Sequence, residues 1–105
     1  MNEINWENIS MEMISCIGTS KSNAIMAIRA AKNQDFVKAK DLILEAEIEM
    51  SKAHNLHFDI VSREANGEKL DLKLLFLHAE DQMLTTQAMI DLGKEMIEMY
   101  KIIYK

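Results

Sequence analysis

Two side chains that could do chemistry lie one helical turn apart in the last third of the chain, namely His78 and Asp81. Residues three apart on a helix lie on the same side, so a helix would present this imidazole and this carboxylate together. Both stand among apolar neighbours, where an unpaired carboxylate is costly and needs a donor, a cation or a hydrated cavity. The pair indicates either a functional site, or a structural histidine beside an aspartate that pairs with a lysine or with water.

Other candidate sites carry weaker signals. His54 and His57 are also three apart and could hold a transition metal, but no third ligand follows at a recognised spacing, which favours a structural or interface role. The acids of residues 45–49 lack the Glu-x-x-His repeat that a di-iron site needs. Cys16 has no nucleophile signature around it and is interpreted as a small packing residue.

The composition predicts that helices position these groups. The chain has no proline and only three glycines among its 105 residues. Leu, Ile, Met, Ala, Glu and Lys dominate, as is typical of helices. Two breaks are expected, at 31–35, where Asp35 could cap a following helix, and at 66–71, where Gly67 could end one. The sequence therefore predicts an all-α, antiparallel three-helix bundle forming a single domain over residues 1–105.

The apolar spacing differs between the three segments. The second segment carries one stripe at helical spacing, formed by Phe36, Ala39, Ile43, Ala46, Met50, Ala53, His57 and Ile60. The first has a looser stripe of Ile14, Ile17, Ala24, Ile25 and Ile28. A polar, small-residue stretch at 18–22 interrupts it, which indicates a break or a close contact.

The third segment is apolar over two adjacent stripes. One contains Leu70, Leu74, Leu77, Asp81, Leu84 and Ala88, and the other contains Leu75, His78, Gln82, Thr85, Met89, Leu92, Met96 and Met99. In a three-helix bundle each helix buries one side. A helix with two apolar stripes therefore keeps apolar surface that a further protein contact could bury. We therefore expect a small cyclic oligomer with the third helices near its symmetry axis.

Charge and cysteine content exclude several classes of protein. Twelve Lys and Arg stand against seventeen Asp and Glu, giving a net charge of −5, which disfavours nucleic acid as a partner. The single cysteine excludes an intrachain disulfide and fits a reducing, cytoplasmic setting. No basic leader or membrane-spanning apolar run is visible, so neither export nor direct membrane insertion is expected.

Short motifs along almost the whole chain match one known family. They are Gly18 to Ser22, Ala31, Asp35-Phe36, Ala39, Glu45-Ala46, Ala53-His54, Arg63-Glu64-Ala65, Gly67, His78-Ala79-Glu80-Asp81, Thr85-Thr86, Ile97-Glu98 and Tyr100-Lys101. In this order and spacing, the sequence resembles the lactose/cellobiose-family enzyme IIA component of the bacterial phosphoenolpyruvate-dependent sugar phosphotransferase system.

The resemblance implies a phosphocarrier. His78 would accept a phosphoryl group from the phosphocarrier HPr and donate it to a cognate IIB protein or domain. A disaccharide of the lactose, cellobiose or chitobiose type would then be phosphorylated during its uptake through the IIC permease. The resemblance also implies a homotrimer in which Asp81 of three subunits shares a divalent cation such as Mg²⁺, and oxygen ligands suit that cation.

Some positions depart from the usual family pattern. Glu80 stands where Gln is expected, and His57-Phe58 replaces a usual Gln-Thr pair. On a helix Glu80 should face away from His78, so only a modest effect on transfer is expected. An apolar rim that includes Met83 and Met89 would suit docking of two carriers in turn. The alternative hypothesis is a non-catalytic helical interaction module that keeps the fold without phosphotransfer.

Overall fold

The protein is an antiparallel bundle of three long helices, described for residues 3–105 by a computed structural model. The helices are α1 (Trp6–Lys32), α2 (Phe36–Ala65) and α3 (Leu74–Ile103). The bundle measures 55 × 21 × 19 Å along its principal axes. Helix α1 packs extensively on both others, whereas α2 and α3 contact each other less. The all-α bundle is as predicted, and residues 1 and 2 of the predicted domain lie outside the described residues.

Within residues 3–105, none of the three helices combines the length and the apolar character that crossing a bilayer requires.

The turn between α1 and α2 forms where the sequence predicts it. Asp35 is the N-cap of α2, and its Oδ1 accepts a hydrogen bond from the Lys38 backbone N–H at 3.1 Å. The preceding Gln34 adopts a left-handed conformation with φ of 66°, and this reverses the chain within a few residues. The predicted cap is confirmed.

The connection between α2 and α3 is longer than predicted. Gly67, with φ of 94°, follows the end of α2 as expected, but α3 begins at Leu74. Leu70, assigned above to a stripe of the third helix, packs on the core from this connection. Arg63 Nε and Nη2 donate to the two carboxylate oxygens of Glu68 at 2.8 and 2.6 Å, which lowers the pKa of Glu68 and fastens the connection to α2.

The predicted core side of α2 is confirmed. Its buried residues are Ala39, Ile43, Ala46, Met50, Ala53 and Ile60, and Phe36 and His57 of the same stripe are half-buried. In α1 the stretch 18–22 is a close contact rather than a break, because the helix continues through it. Ser20 is fully buried there, and its Oγ donates to the Ala46 carbonyl of α2 at 2.7 Å.

Two buried serines of α1 should respond oppositely to removal of the hydroxyl. Ser10 Oγ is buried without a hydrogen-bond partner among the described residues, whereas Ser20 Oγ bonds to α2. A buried unsatisfied hydroxyl costs free energy, so Ser10→Ala is expected to leave the free energy of unfolding unchanged or to raise it. Ser20→Ala should lower it by about 1–3 kcal/mol, because the Ala46 carbonyl loses its donor. Urea denaturation of the two variants tests this, and equal losses would contradict it.

The buried side of α3 is neither of the two stripes read from the sequence. It consists of Phe76, Ala79, Met83, Thr86, Ile90, Gly93 and Ile97. Most residues of both predicted stripes are exposed, including Leu74 at 82% and Leu84 at 60%. Because α3 is apolar around most of its circumference, the pattern alone did not determine which side meets α1 and α2. The surplus apolar surface of α3 is therefore larger than predicted.

Candidate functional site

His78 lies in the second turn of α3, on the exposed side of the helix. With Leu74 and Leu75 it lines an open depression of about 430 Å³. Within residues 3–105, the imidazole makes no hydrogen bond or ion pair. A ring nitrogen is thus accessible to a reactant that approaches from solvent, which is what a nucleophilic histidine needs.

The surface around His78 is apolar, but its residues differ from those predicted. Leu74, Leu75 and Leu77 are 82%, 37% and 43% exposed and surround the histidine on its own helix. The prediction that Met83 belongs to this rim is wrong, because Met83 is 2% exposed and packs in the core. It lies five residues after His78, and that spacing turns it to the opposite side of the helix.

Asp81 lies one turn after His78 and is also exposed. Its neighbours at helical spacing are Leu77 and Leu84, both exposed and apolar. Within the described part of the chain, the Asp81 carboxylate forms no ion pair with a lysine. The lysine partner considered in the sequence analysis is therefore not present there. The carboxylate stands on a surface that is otherwise suited to burial.

A metal centre built from one copy of the chain is not formed by residues 3–105. These residues contain no group of three or more His, Cys, Asp or Glu side chains that could hold an ion. Asp81 supplies one carboxylate, an oxygen ligand that suits a hard divalent cation. The donor chemistry fits such an ion only if other copies of the chain contribute further carboxylates.

Glu80 and His57 form a contact between helices that the sequence analysis missed. His57 Nε2 of α2 lies 2.6 Å from Glu80 Oε2 of α3. The His57 ring stacks on the buried Phe76, with ring centroids 5.9 Å apart and an interplanar angle of 8°. The expectation that Glu80 faces away from His78 is confirmed, since its carboxylate reaches α2. The two residues are 23 apart in sequence, so no local pattern signalled the contact.

The two histidines of α2 do not converge on a common point. His54 Nε2 lies 3.1 Å from Gln87 Oε1, a different residue of α3 from the partner of His57. This arrangement agrees with the structural role that the spacing favoured.

Cys16 packs against the core, half-buried. Burial, and then the nearby Glu49 carboxylate, raises the pKa of the Cys16 thiol, which keeps the sulfur protonated and weakly nucleophilic. Cys16 is thus a packing residue, as predicted.

Comparison with known proteins decides the family. Residues 8–101 match the family model described as the lactose/cellobiose-specific IIA subunit of the phosphotransferase system. The chain belongs to this enzyme IIA family. It is 38% identical over 95 residues to the oligo-beta-mannoside-specific EIIA component of Bacillus subtilis, a match that covers 90% of this chain and 86% of that protein.

Solved enzyme IIA structures share the bundle. The cellobiose-specific enzyme IIA from Bacillus anthracis superimposes with a TM-score of 0.90 at 26% identity, over 98% of this chain and 94% of that one. The chitobiose IIA of Escherichia coli, solved in complex with HPr, has a TM-score of 0.80 at 23% identity, over 98% and 100% of the two chains. At 23% identity, the likeness to the Escherichia coli protein shows a shared fold. The sugars in these names differ, so the family alone does not select one.

Proposed function

We propose that His78 is the residue on which this enzyme IIA component carries a phosphoryl group. The observation that carries the proposal is an exposed imidazole without a protein partner in the described chain, surrounded by the apolar side chains of Leu74, Leu75 and Leu77. The other two histidines are engaged with residues of α3. In a family of phosphotransferase components, His78 is the histidine available to a partner protein.

The main contribution of the protein to the transfer is to position the reacting groups. A neutral ring nitrogen of His78 attacks phosphorus in line, forming the N–P bond while the bond from phosphorus to the donor breaks. The bonding pair of the broken bond stays on the donor, and no other reactant is consumed. When the phosphoryl group passes on, the N–P bond of His78 breaks, its bonding pair returns to the ring nitrogen, and a new bond to phosphorus forms on the acceptor.

The donor we propose is phospho-HPr, and the acceptor is a cognate IIB protein or domain that works with a IIC permease. Family membership supports this pair, and an enzyme IIA of the same fold was solved in complex with HPr. The transported sugar is a disaccharide of the lactose, cellobiose or chitobiose type. We place the protein in the cytoplasm, where phosphoenolpyruvate and HPr are available.

Incubation with phosphoenolpyruvate, enzyme I and HPr tests this function. Intact mass spectrometry is expected to show one acid-labile phosphoryl group per chain, and fragmentation should locate it on His78. Addition of the cognate IIB should remove it. No adduct in the presence of a competent phospho-HPr pool would favour the non-catalytic interaction module.

We further propose that three copies assemble with α3 near a threefold axis. The support is the exposed apolar side of α3, which includes Leu77 at 43%, Leu84 at 60% and Leu92 at 63% exposure. Side chains at this spacing are normally buried by another helix. Asp81 lies on the same side, and the three carboxylates would share a divalent cation such as Mg²⁺ that relieves their mutual repulsion.

The Asp81→Leu variant is expected to remain a trimer without added metal. Apolar side chains can replace a buried charge cluster at little cost or with a gain in stability, so the variant should no longer need the cation. Light scattering in EDTA, compared with the wild type with and without Mg²⁺, measures the assembly state. Dissociation of Asp81→Leu into folded monomers under conditions where the wild type is trimeric would contradict the axial position of Asp81.

A further inference from the structure

We infer that His57 is a positioning residue for phosphoryl transfer, because it holds the Glu80 carboxylate on the α2 side of α3, away from the phosphoryl group on His78. The inference rests on the proposed role of His78. The observation behind it is the 2.6 Å contact between His57 Nε2 of α2 and Glu80 Oε2 of α3.

Glu80 and Asp81 are the acidic residues near His78 in the sequence, and of the two Glu80 is the one whose carboxylate contacts another helix. It is two residues from His78 on the same helix, where the side chains diverge but the backbones are adjacent. A phosphoryl group adds up to two negative charges to His78, so a nearby carboxylate disfavours the phosphorylated state. A Glu80 carboxylate that turned toward His78 would therefore oppose phosphorylation.

The surroundings of His57 allow it to hold the Glu80 carboxylate in place. An ionised carboxylate only accepts hydrogen bonds, so this contact places the ring proton of His57 on Nε2, which donates a hydrogen bond to Glu80 Oε2. The ring itself is fixed by stacking on Phe76, which is 2% exposed. The side chains of His57 and Glu80 are 20% and 37% exposed, so the contact is partly shielded from water.

The test is the equilibrium of phosphoryl transfer between HPr and this protein, measured as the phosphorylated fraction of each by intact mass spectrometry. His57→Leu removes the donor at similar volume and is expected to lower the equilibrium constant by about two- to tenfold, the range for a carboxylate moving a few ångströms toward the phosphoryl group. His57→Gln keeps a donor and should stay near the wild type. The double variant His57→Leu/Glu80→Gln should recover the wild-type constant, because position 80 then carries no charge and Asp81 is the same in all variants.

A matched control is available on the same helix. His54→Leu removes a contact to the neutral Gln87 and should leave the equilibrium constant unchanged. A His57→Leu variant with the wild-type constant would overturn the inference, and so would a double variant as impaired as His57→Leu, since that loss would be one of packing. A wild type that accepts no phosphoryl group at all would instead overturn the proposed function.

Discussion

The His78→Ala variant is expected to accept no phosphoryl group from phospho-HPr, while the wild type accepts one per chain. The imidazole is the nucleophile in the proposed transfer, and methyl in its place offers no atom on which an N–P bond can form. Mass spectrometry of the intact chain after incubation with phosphoenolpyruvate, enzyme I and HPr measures the result. The difference should be complete rather than partial, because His54 and His57 are engaged with α3.

The same change should barely affect the fold. His78 is exposed and makes no hydrogen bond within residues 3–105, so the free energy of unfolding should change by no more than about 0.5 kcal/mol. His54→Ala is the matched control, an exposed histidine that should leave phosphoryl acceptance intact. Acceptance by His78→Ala at the wild-type level, or its loss in His54→Ala, would place the phosphoryl group elsewhere.

Phe76→Ala is expected to lower the free energy of unfolding by about 3–5 kcal/mol, the range for deleting a buried aromatic ring. Phe76 is 2% exposed and packs edge-on against Trp6, with ring centroids 5.2 Å apart. The Phe76 ring also stacks against the His57 ring. Removing it leaves a cavity where the N-terminal turn of α1, α2 and α3 meet, two residues before His78.

Phe58→Ala is the matched control for this loss. Phe58 is 67% exposed, so its removal should change the free energy of unfolding by no more than about 0.5 kcal/mol. Urea denaturation at a fixed protomer concentration compares the two, because self-association would make the midpoint concentration-dependent. Similar losses for Phe76→Ala and Phe58→Ala would contradict the assignment of Phe76 to the core.

The surplus apolar surface of α3 links the fold to the proposed assembly. Leu84 and Leu92 are more than half exposed in a single chain, and Asp81 stands among them. His78 lies at the edge of the same surface, so burial of α3 against other copies would leave the histidine beside an interface.

Much of this protein was determined by its sequence through local physical chemistry. Asp35 and Gly67 mark the helix ends because a capping carboxylate and a left-handed glycine act within a few residues of chain. The single apolar stripe of α2 identified its buried side because the helix is polar elsewhere. The choice of His78 and Asp81 came from their spacing and from the family resemblance, neither of which needs tertiary contacts.

Only the tertiary structure decided which side of α3 is buried and where Glu80 goes. A helix that is apolar around most of its circumference satisfies the pattern in several orientations, and packing on α1 and α2 selected the side of Phe76 and Met83. The His57–Glu80 contact joins residues 23 apart in sequence, so no local rule could find it. It forms because antiparallel packing of α2 on α3 brings both side chains to the same level of the bundle.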